Sequence, residues 1–207
     1  MRLRAWDLTV ERGGRRVIAG LSFEAGEGSA LIVTGPNGAG KTSLLRALAG
    51  FLPIETGGFA LDGADAERTV GEQAHYLGHA DGVKNALTAG ENLAFAAAML
   101  GGDSSRAAQL AALAALSLSH VIDFPARLLS AGQKRRSALA RLLVAKRPLW
   151  LLDEPMTALD VAAQGALSGI MRAHLESGGI LVAAAHGPLG LDGAQELRLG
   201  ATADAAA

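Results

Sequence analysis

The stretch Gly35-Pro-Asn-Gly-Ala-Gly-Lys-Thr42 constrains this chain more than any other. It has the spacing Gly-x4-Gly-Lys-Thr and follows directly on Ala30-Leu-Ile-Val-Thr34, a short apolar run that reads as a strand buried on both faces. Ser43–Ala49 is rich in leucine and alanine and reads as a helix, stopped by Gly50 and the nearby Pro53. Strand, glycine-rich loop and helix in that order make a phosphate cradle. The glycines let the backbone approach an anion closely, so that successive N–H groups point at it from a helix N-terminus. Gly35, Pro36, Asn37, Gly38, Ala39 and Gly40, with Lys41, Thr42 and Ser43, are therefore the expected nucleotide contacts. Lys41 would reach the β- and γ-phosphates, and the Thr42 hydroxyl would ligate Mg²⁺.

Leu149-Trp-Leu-Leu-Asp153 reads as a second buried strand, with a carboxylate at its carboxyl end and Glu154 next to it. In a P-loop protein a strand-end aspartate holds Mg²⁺ through water, and an adjacent glutamate can polarise attacking water. The two segments together imply Mg²⁺-dependent nucleotide hydrolysis, with Lys41 and Glu154 in catalytic roles. Composition narrows the field further. There is no cysteine, which excludes disulfide frameworks, thiolate metal sites and a Cys nucleophile. The 19 Lys+Arg and 20 Asp+Glu nearly cancel, so the surface as a whole is not a nucleic-acid electrode.

Along the chain, Leu3–Val10 reads as an edge strand, Gly13-Gly14 as a turn and Val17–Phe23 as a second strand, followed by a turn at Gly26-Glu27-Gly28. Gly57–Val70 reads as a loop-and-hairpin region. Thr88 and Glu91 have capping-box spacing and start a helix through Leu100; an alanine-dense helix is expected from about Ser105 to Leu116. Residues 88–127 read as a helical insert. With the helix that Ser130 caps and that runs through Lys146, the inserted subdomain extends over about 88–146 of a single domain spanning 1–207. Ala162–Leu175 is expected to be helix, Gly178-Gly179 a turn and Ile180–Ala185 a strand ending at His186, while the alanine-rich tail from Ala201 is expected to fray. Alternating strands and helices favour a largely parallel α/β sheet with ligands at the strand carboxyl ends. The most apolar windows, Leu93–Leu100 and Ile180–Ala185, are far shorter than the ~20 residues of a membrane span, and Met1-Arg-Leu-Arg has no apolar leader. The chain is therefore expected in the cytoplasm, reaching a membrane only through partners.

Leu129-Ser-Ala-Gly-Gln133 decides between kinds of P-loop protein. A Ser-x-Gly opening a helix presents a hydroxyl, a backbone N–H and the positive helix end to an anion. Taken in order, Gly35–Thr42, Leu129–Gln133, Leu149–Asp153, Ala158-Leu-Asp160 and His186 resemble the Walker A, signature, Walker B, D-loop and switch-histidine motifs of the ATP-binding cassette (ABC) ATPases. The resemblance covers nearly the whole chain. It implies a P-loop NTPase core with a mostly parallel sheet, an antiparallel β subdomain and an inserted helical subdomain, and it implies ATP and Mg²⁺. Two cassettes would pair head to tail, with Ser130, Gly132, Gln133 and Asp160 contributing to ATP held by the partner's Lys41. By the same resemblance Glu154 is the general base and His186 holds the γ-phosphate and attacking water.

Two positions depart from that pattern. The adenine-stacking aromatic falls near Arg12, within Glu11-Arg12-Gly13-Gly14, where a guanidinium can stack plane on plane. The Q-loop glutamine falls at His79, at the end of Tyr76-Leu-Gly-His79; imidazole there can ligate metal or hold water. Gln73 lies too far upstream to replace it. His75-Tyr-Leu-Gly-His79, Gly82-Val-Lys84 and Leu87-Thr88-x2-Glu91-Asn92-Leu93 resemble the haem-exporter ATPases of cytochrome c maturation (the CcmA family), although Ala80 stands where members commonly carry Gln. This resemblance implies integral membrane partners of a haem export complex, placement on the cytoplasmic face of the bacterial inner membrane, and hydrolysis that releases a haem-loaded chaperone. A transporter ATPase for another cargo is the alternative. Lys134-Arg135-Arg136 with Arg141 could suggest nucleic acid; a solvated helix face is preferred, with no nucleic-acid partner. A small-molecule kinase would leave Leu129–Gln133 and His186 without a role.

Overall fold

The computed structural model describes residues 1–200; the tail from Ala201 lies outside the described residues. The chain divides into two units, one formed by Met1–Gly78, Pro148–Pro155 and the chain from Met171, the other by His79–Arg147 and Met156–Ile170.

The first unit holds two sheets. The antiparallel one contains β1 (Arg2–Arg12), β2 (Arg15–Gly26) and β4 (Thr56–Asp62) in the order β2-β1-β4. The first strand is therefore central, not an edge. The register slips between Ala5 and Leu8, where Asp7 takes a positive φ of 46° and its N–H donates to the Ser22 hydroxyl, the geometry of a bulge. The expected hairpin in 57–70 does not form. Its first residues are β4, and Gly57 is required there because a Cβ would collide with the main-chain oxygens of Trp6 and Asp7.

The other sheet is parallel throughout, in the order β5-β6-β7-β3-β8: β5 (Ala74–Leu77), β6 (Leu149–Asp153), β7 (Ile180–Ala184), β3 (Ala30–Thr34) and β8 (Gln195–Arg198). Every residue of β6 and β7 is buried, which is why both read as unbroken apolar runs. The amphipathic helix α1 (Lys41–Leu48) buries Leu44, Leu45 and Leu48 in one core with Leu3, Leu8 and Val10 of the antiparallel sheet and Val33, Leu151 and Val182 of the parallel one. This sandwiched helix locks the loop that precedes it against the sheet's carboxyl edge.

The second unit is helical. α2 (Ala89–Leu100) starts at a complete Thr88/Glu91 capping box and ends at Gly101 in the left-handed region (φ 66°). α3 (Arg106–Ala114) is capped by Ser105. The helix expected from Ser130 to Lys146 divides into α4 (Ala131–Leu139) and the single turn α5 (Arg141–Val144), joined by Ala140 at φ −58° and ψ −19°, a tightening toward 3₁₀ geometry. α6 (Val161–Glu176) begins in this unit, and its end, from Met171, belongs to the first. Among the described residues no helix is long and apolar enough to cross a membrane.

Candidate phosphate-binding site

The carboxyl edge of the parallel sheet opens into a cavity of about 450 Å³, lined by Arg12, Val17, Asn37, Gly38, Gly40, Lys41, Thr42, Ser43, Asp153, Glu154 and His186. Each strand supplies its part at its end. β3 runs into the loop 35–40, β6 finishes on Asp153, and His186 lies two residues past β7. β1 ends at Arg12, which brings that side chain to the cavity wall.

The loop is shaped by close approach. A Cβ on Gly40 (φ 96°) would stand 2.6 Å from the Val17 carbonyl oxygen, and one on Gly35 (φ 139°) would strike the Leu199 carbonyl. Only glycine meets both the conformation and the contact. Lys41 is nearly fully buried, and its Nζ donates to the carbonyls of Gly35 at 2.7 Å and Pro36 at 3.2 Å, so the ammonium is held inside the loop. Thr42 Oγ1 donates to Asp153 Oδ2 at 2.8 Å. Beside that pair, Tyr76 has its hydroxyl pushed up by burial and then by the Asp153 charge, with Arg46 acting the other way.

Glu154 adopts φ 48°, a left-handed conformation costly for a residue with a Cβ; its N–H donates to Ala184 O at 2.9 Å. The turn aims the carboxylate along the cavity, where Oε1 lies 3.4 Å from His186 Nε2. At a phosphate cradle a carboxylate can take a proton from water, and an imidazole beside it can donate to a terminal phosphate oxygen.

The donors fit Mg²⁺ as far as this chain supplies them. Thr42 Oγ1 and Asp153 are adjacent hard oxygens, and among the described residues no group of three or more His, Asp or Glu forms a protein cage. A small octahedral cation held mostly by phosphate and water needs no more than this pair. His79, expected among the metal ligands, belongs to the helical unit and is exposed.

Ser130, Gly132, Gln133 and Asp160 also lie in the helical unit. Ser130 and Gln133 form a reciprocal cap: Ser130 Oγ accepts from Gln133 N at 3.2 Å, and Ser130 N donates to Gln133 Oε1 at 2.9 Å. A Cβ on Gly132 would come within 3.3 Å of the Ala158 carbonyl oxygen, and Ala158 has a positive φ of 62°. Asp160 Oδ1 accepts from Ala163 N and caps α6. The basic cluster is not a solvated face. Arg135 is buried and paired with Asp81, and Arg136 Nη1 donates to Leu116 O. Sequence reasoning missed Val17 in the cavity lining; an apolar position in a strand carries no signal for that.

A strand–loop–helix cradle with Thr42, Asp153, Glu154 and His186 around it is the arrangement expected of a P-loop ATPase. Residues 18–157 match the family model described as ABC transporter. A curated relative from Nitrobacter winogradskyi, "Cytochrome c biogenesis ATP-binding export protein CcmA", is 56% identical over 203 residues, covering 98% of this chain and 100% of that protein. The protein of the same name from Nitrobacter hamburgensis is 55% identical over 204 residues, again with 98% and 100% covered. The solved structure of a putative ABC transporter ATP-binding protein from Pyrococcus furiosus superposes with a TM-score of 0.82 over 96% of this chain and 98% of that one; at 21% identity it shows the shared fold. The chain belongs to the ABC transporter family, as an ABC-type ATPase, and within it to the CcmA group.

Proposed function

We propose that this chain is the ATP-hydrolysing subunit of a membrane complex that works in cytochrome c maturation, on the cytoplasmic face of the bacterial inner membrane. The observation that carries the ATPase chemistry is the convergence of Thr42, Asp153, Glu154 and His186 on the Lys41 cradle. The name of its relatives, cytochrome c biogenesis ATP-binding export protein, supports the cellular role.

In this reading the loop N–H groups and Lys41 bind the β- and γ-phosphates, and the Arg12 guanidinium lies against the base. Thr42 and Asp153 hold Mg²⁺, which when bound neutralises charge on the β- and γ-phosphates. Glu154 takes a proton from water as its oxygen attacks the γ-phosphorus, and the bond from that phosphorus to the ADP oxygen breaks. His186 steadies the γ-phosphate and the attacking water. Ser130, Gly132, Gln133 and Asp160 complete the site of a second cassette in a head-to-tail pair. His79 stands at the coupling position toward the integral membrane subunits, and the pair's hydrolysis releases a haem-loaded chaperone.

The test is affinity purification of the Glu154→Gln chain from native membranes in ATP and Mg²⁺, with mass spectrometry of what accompanies it. Integral membrane proteins of haem handling and cytochrome c assembly are expected. Other transmembrane subunits would keep the ATPase and replace the cargo; ribosomes or DNA without membrane proteins would overturn the transporter reading. Ser130→Arg is expected to abolish ATP-driven pairing in light scattering, and unchanged pairing would remove the composite site.

A further inference from the structure

The basic residues after the signature motif have a structural use that their sequence concealed. Arg135, on α4 two residues beyond Gln133, has a side chain only 5% exposed, and its Nη1 lies 3.1 Å from Asp81 Oδ1. Arg141, the first residue of α5, donates from Nη2 to the main-chain oxygen of the same Asp81 at 2.9 Å and from Nε to Ala138 O at 3.0 Å. Gly82 (φ 63°) lies so close that a Cβ there would stand 3.3 Å from Arg141 Nη1. Burial lowers the Arg141 guanidinium from its ordinary range; Asp81 acts against that, and Arg135 adds to it. One aspartate thus receives a buried cation, Arg135, on its carboxylate and a half-buried one, Arg141, on its carbonyl, both charge-assisted contacts of the stronger kind.

A second fastening follows. Asn92 is buried on α2; its Oδ1 accepts from Lys84 N at 2.8 Å, while Nδ2 donates to the carbonyls of Lys84 at 3.1 Å and Thr88 at 2.9 Å. The segment from Asp81 to Thr88 is therefore tied to the helices at both ends. His79, two residues before the first tie, is exposed, and so is Ser130 at the start of α4. The tie through Asp81 joins the neighbourhoods of these two residues within one unit.

We propose that Asp81 is a positioning residue which, through Arg135 and Arg141, makes the His79 turn and the signature helix move as one piece, so that a load on the turn is delivered to Ser130 and Gly132. This rests on the reading above, in which Ser130–Gln133 completes a partner's ATP site. The inference adds the residue that transmits the movement.

The experiment uses the full chain carrying Glu154→Gln, with ATP and Mg²⁺. Asp81→Asn keeps the side chain's size and removes its charge. Pairing followed by light scattering is expected to need roughly 10-fold more ATP, a coupling of ordinary allosteric size. Binding of a fluorescent ATP analogue to the unpaired chain is expected to stay unchanged, because Lys41 and its loop belong to the other unit. Asp81→Glu, which returns the carboxylate, is expected to recover pairing. Normal pairing by the Asn variant overturns the proposal. So does parallel loss of analogue binding, which would make Asp81 a folding residue only, and so does a Glu variant as impaired as Asn. Ser130→Arg separates the two readings: if it blocks pairing while Asp81→Asn does not, only the positioning role falls; if it too pairs normally, the composite site falls first.

Discussion

Thr42 and Asp153 stand 111 residues apart in the chain, yet the Thr42 hydroxyl donates to the Asp153 carboxylate across 2.8 Å. The contact joins the first turn of α1 to the last residue of β6 and brings the two groups proposed to hold Mg²⁺ to one point. Asp153→Asn leaves a side chain of the same shape that can still meet Thr42 but carries no charge for the cation. The Mg²⁺ concentration for half-maximal hydrolysis is expected to rise roughly 10–100-fold. A titration with no shift would remove Asp153 from the metal site.

Lys41 is held in the loop by two carbonyls, so its ammonium already stands where the proposed function puts the phosphate oxygens. Charge-assisted hydrogen bonds to such a group contribute about 1.5–3 kcal/mol each. Lys41→Ala should therefore weaken ATP binding by roughly 100-fold or more if two are lost. Equilibrium titration with a fluorescent ATP analogue, alongside a circular dichroism check that the fold persists, measures this directly.

Glu154 combines a chemical and a conformational signature. Glu154→Gln should retain ATP binding and lose about 10²–10⁴-fold in turnover, the usual contribution of a general base. The backbone makes a separate claim: at φ 48° a Cβ costs about 1–2 kcal/mol. Glu154→Gly should consequently be more stable than Glu154→Ala, the reverse of the order seen in ordinary helix or strand positions. Urea midpoints of the two variants decide it.

Behind β6, the His174 ring stacks on Trp150 at 3.9 Å and 6°, and Gly179 leaves room for it, since a Cβ there would enter the imidazole. Burial lowers the His174 pKa below its ordinary 6.5, while the hydrogen bond with Ile180 O acts the other way. On acidification the unfolded chain takes up this proton before the folded one does. The contribution is thus complete above about pH 6.5 and is lost as pH falls below that value toward the lowered folded pKa. The urea midpoint of the wild-type chain should drop between pH 7.5 and 5.5 more steeply than that of His174→Gln. Gly179→Ala should cost about 1–3 kcal/mol through overpacking, and much less when combined with His174→Ala.

What could be read in advance follows the range of the interactions. The Thr88–Glu91 capping box and the Ser130 cap are legible in the sequence because each acts within one turn; that Gln133 completes a second box at Ser130 is shown by the structure. β4 is hidden in the sequence because Gly57 and Gly58 look like loop residues, whereas they are there so that β1 can approach. β5 and β8 carry no strand signal of their own in the sequence. Ala74–Leu77 and Gln195–Arg198 are four residues each, and their pairing depends on β6 and β3, which they meet only in the folded sheet. The cluster Lys134-Arg135-Arg136 was expected to face solvent, but a buried arginine cannot be recognised until its carboxylate, 54 residues away, is located.

The sequence by itself determined the chemistry that local spacing encodes: a strand, a glycine cradle and a helix around Lys41, a strand-end Asp153 beside Glu154, and a capped Ser-Ala-Gly-Gln helix start. These depend on backbone conformation within a few residues, which residue type controls directly. Tertiary structure alone decided which of these groups meet. It set the strand order β6-β7-β3, joined Glu154 to His186, carried Arg12 to the cavity wall and turned three apparent surface charges toward Asp81 and the Leu116 carbonyl. Such contacts join distant segments; around the cavity, burial of the apolar faces of α1 and the two sheets in one core selects them.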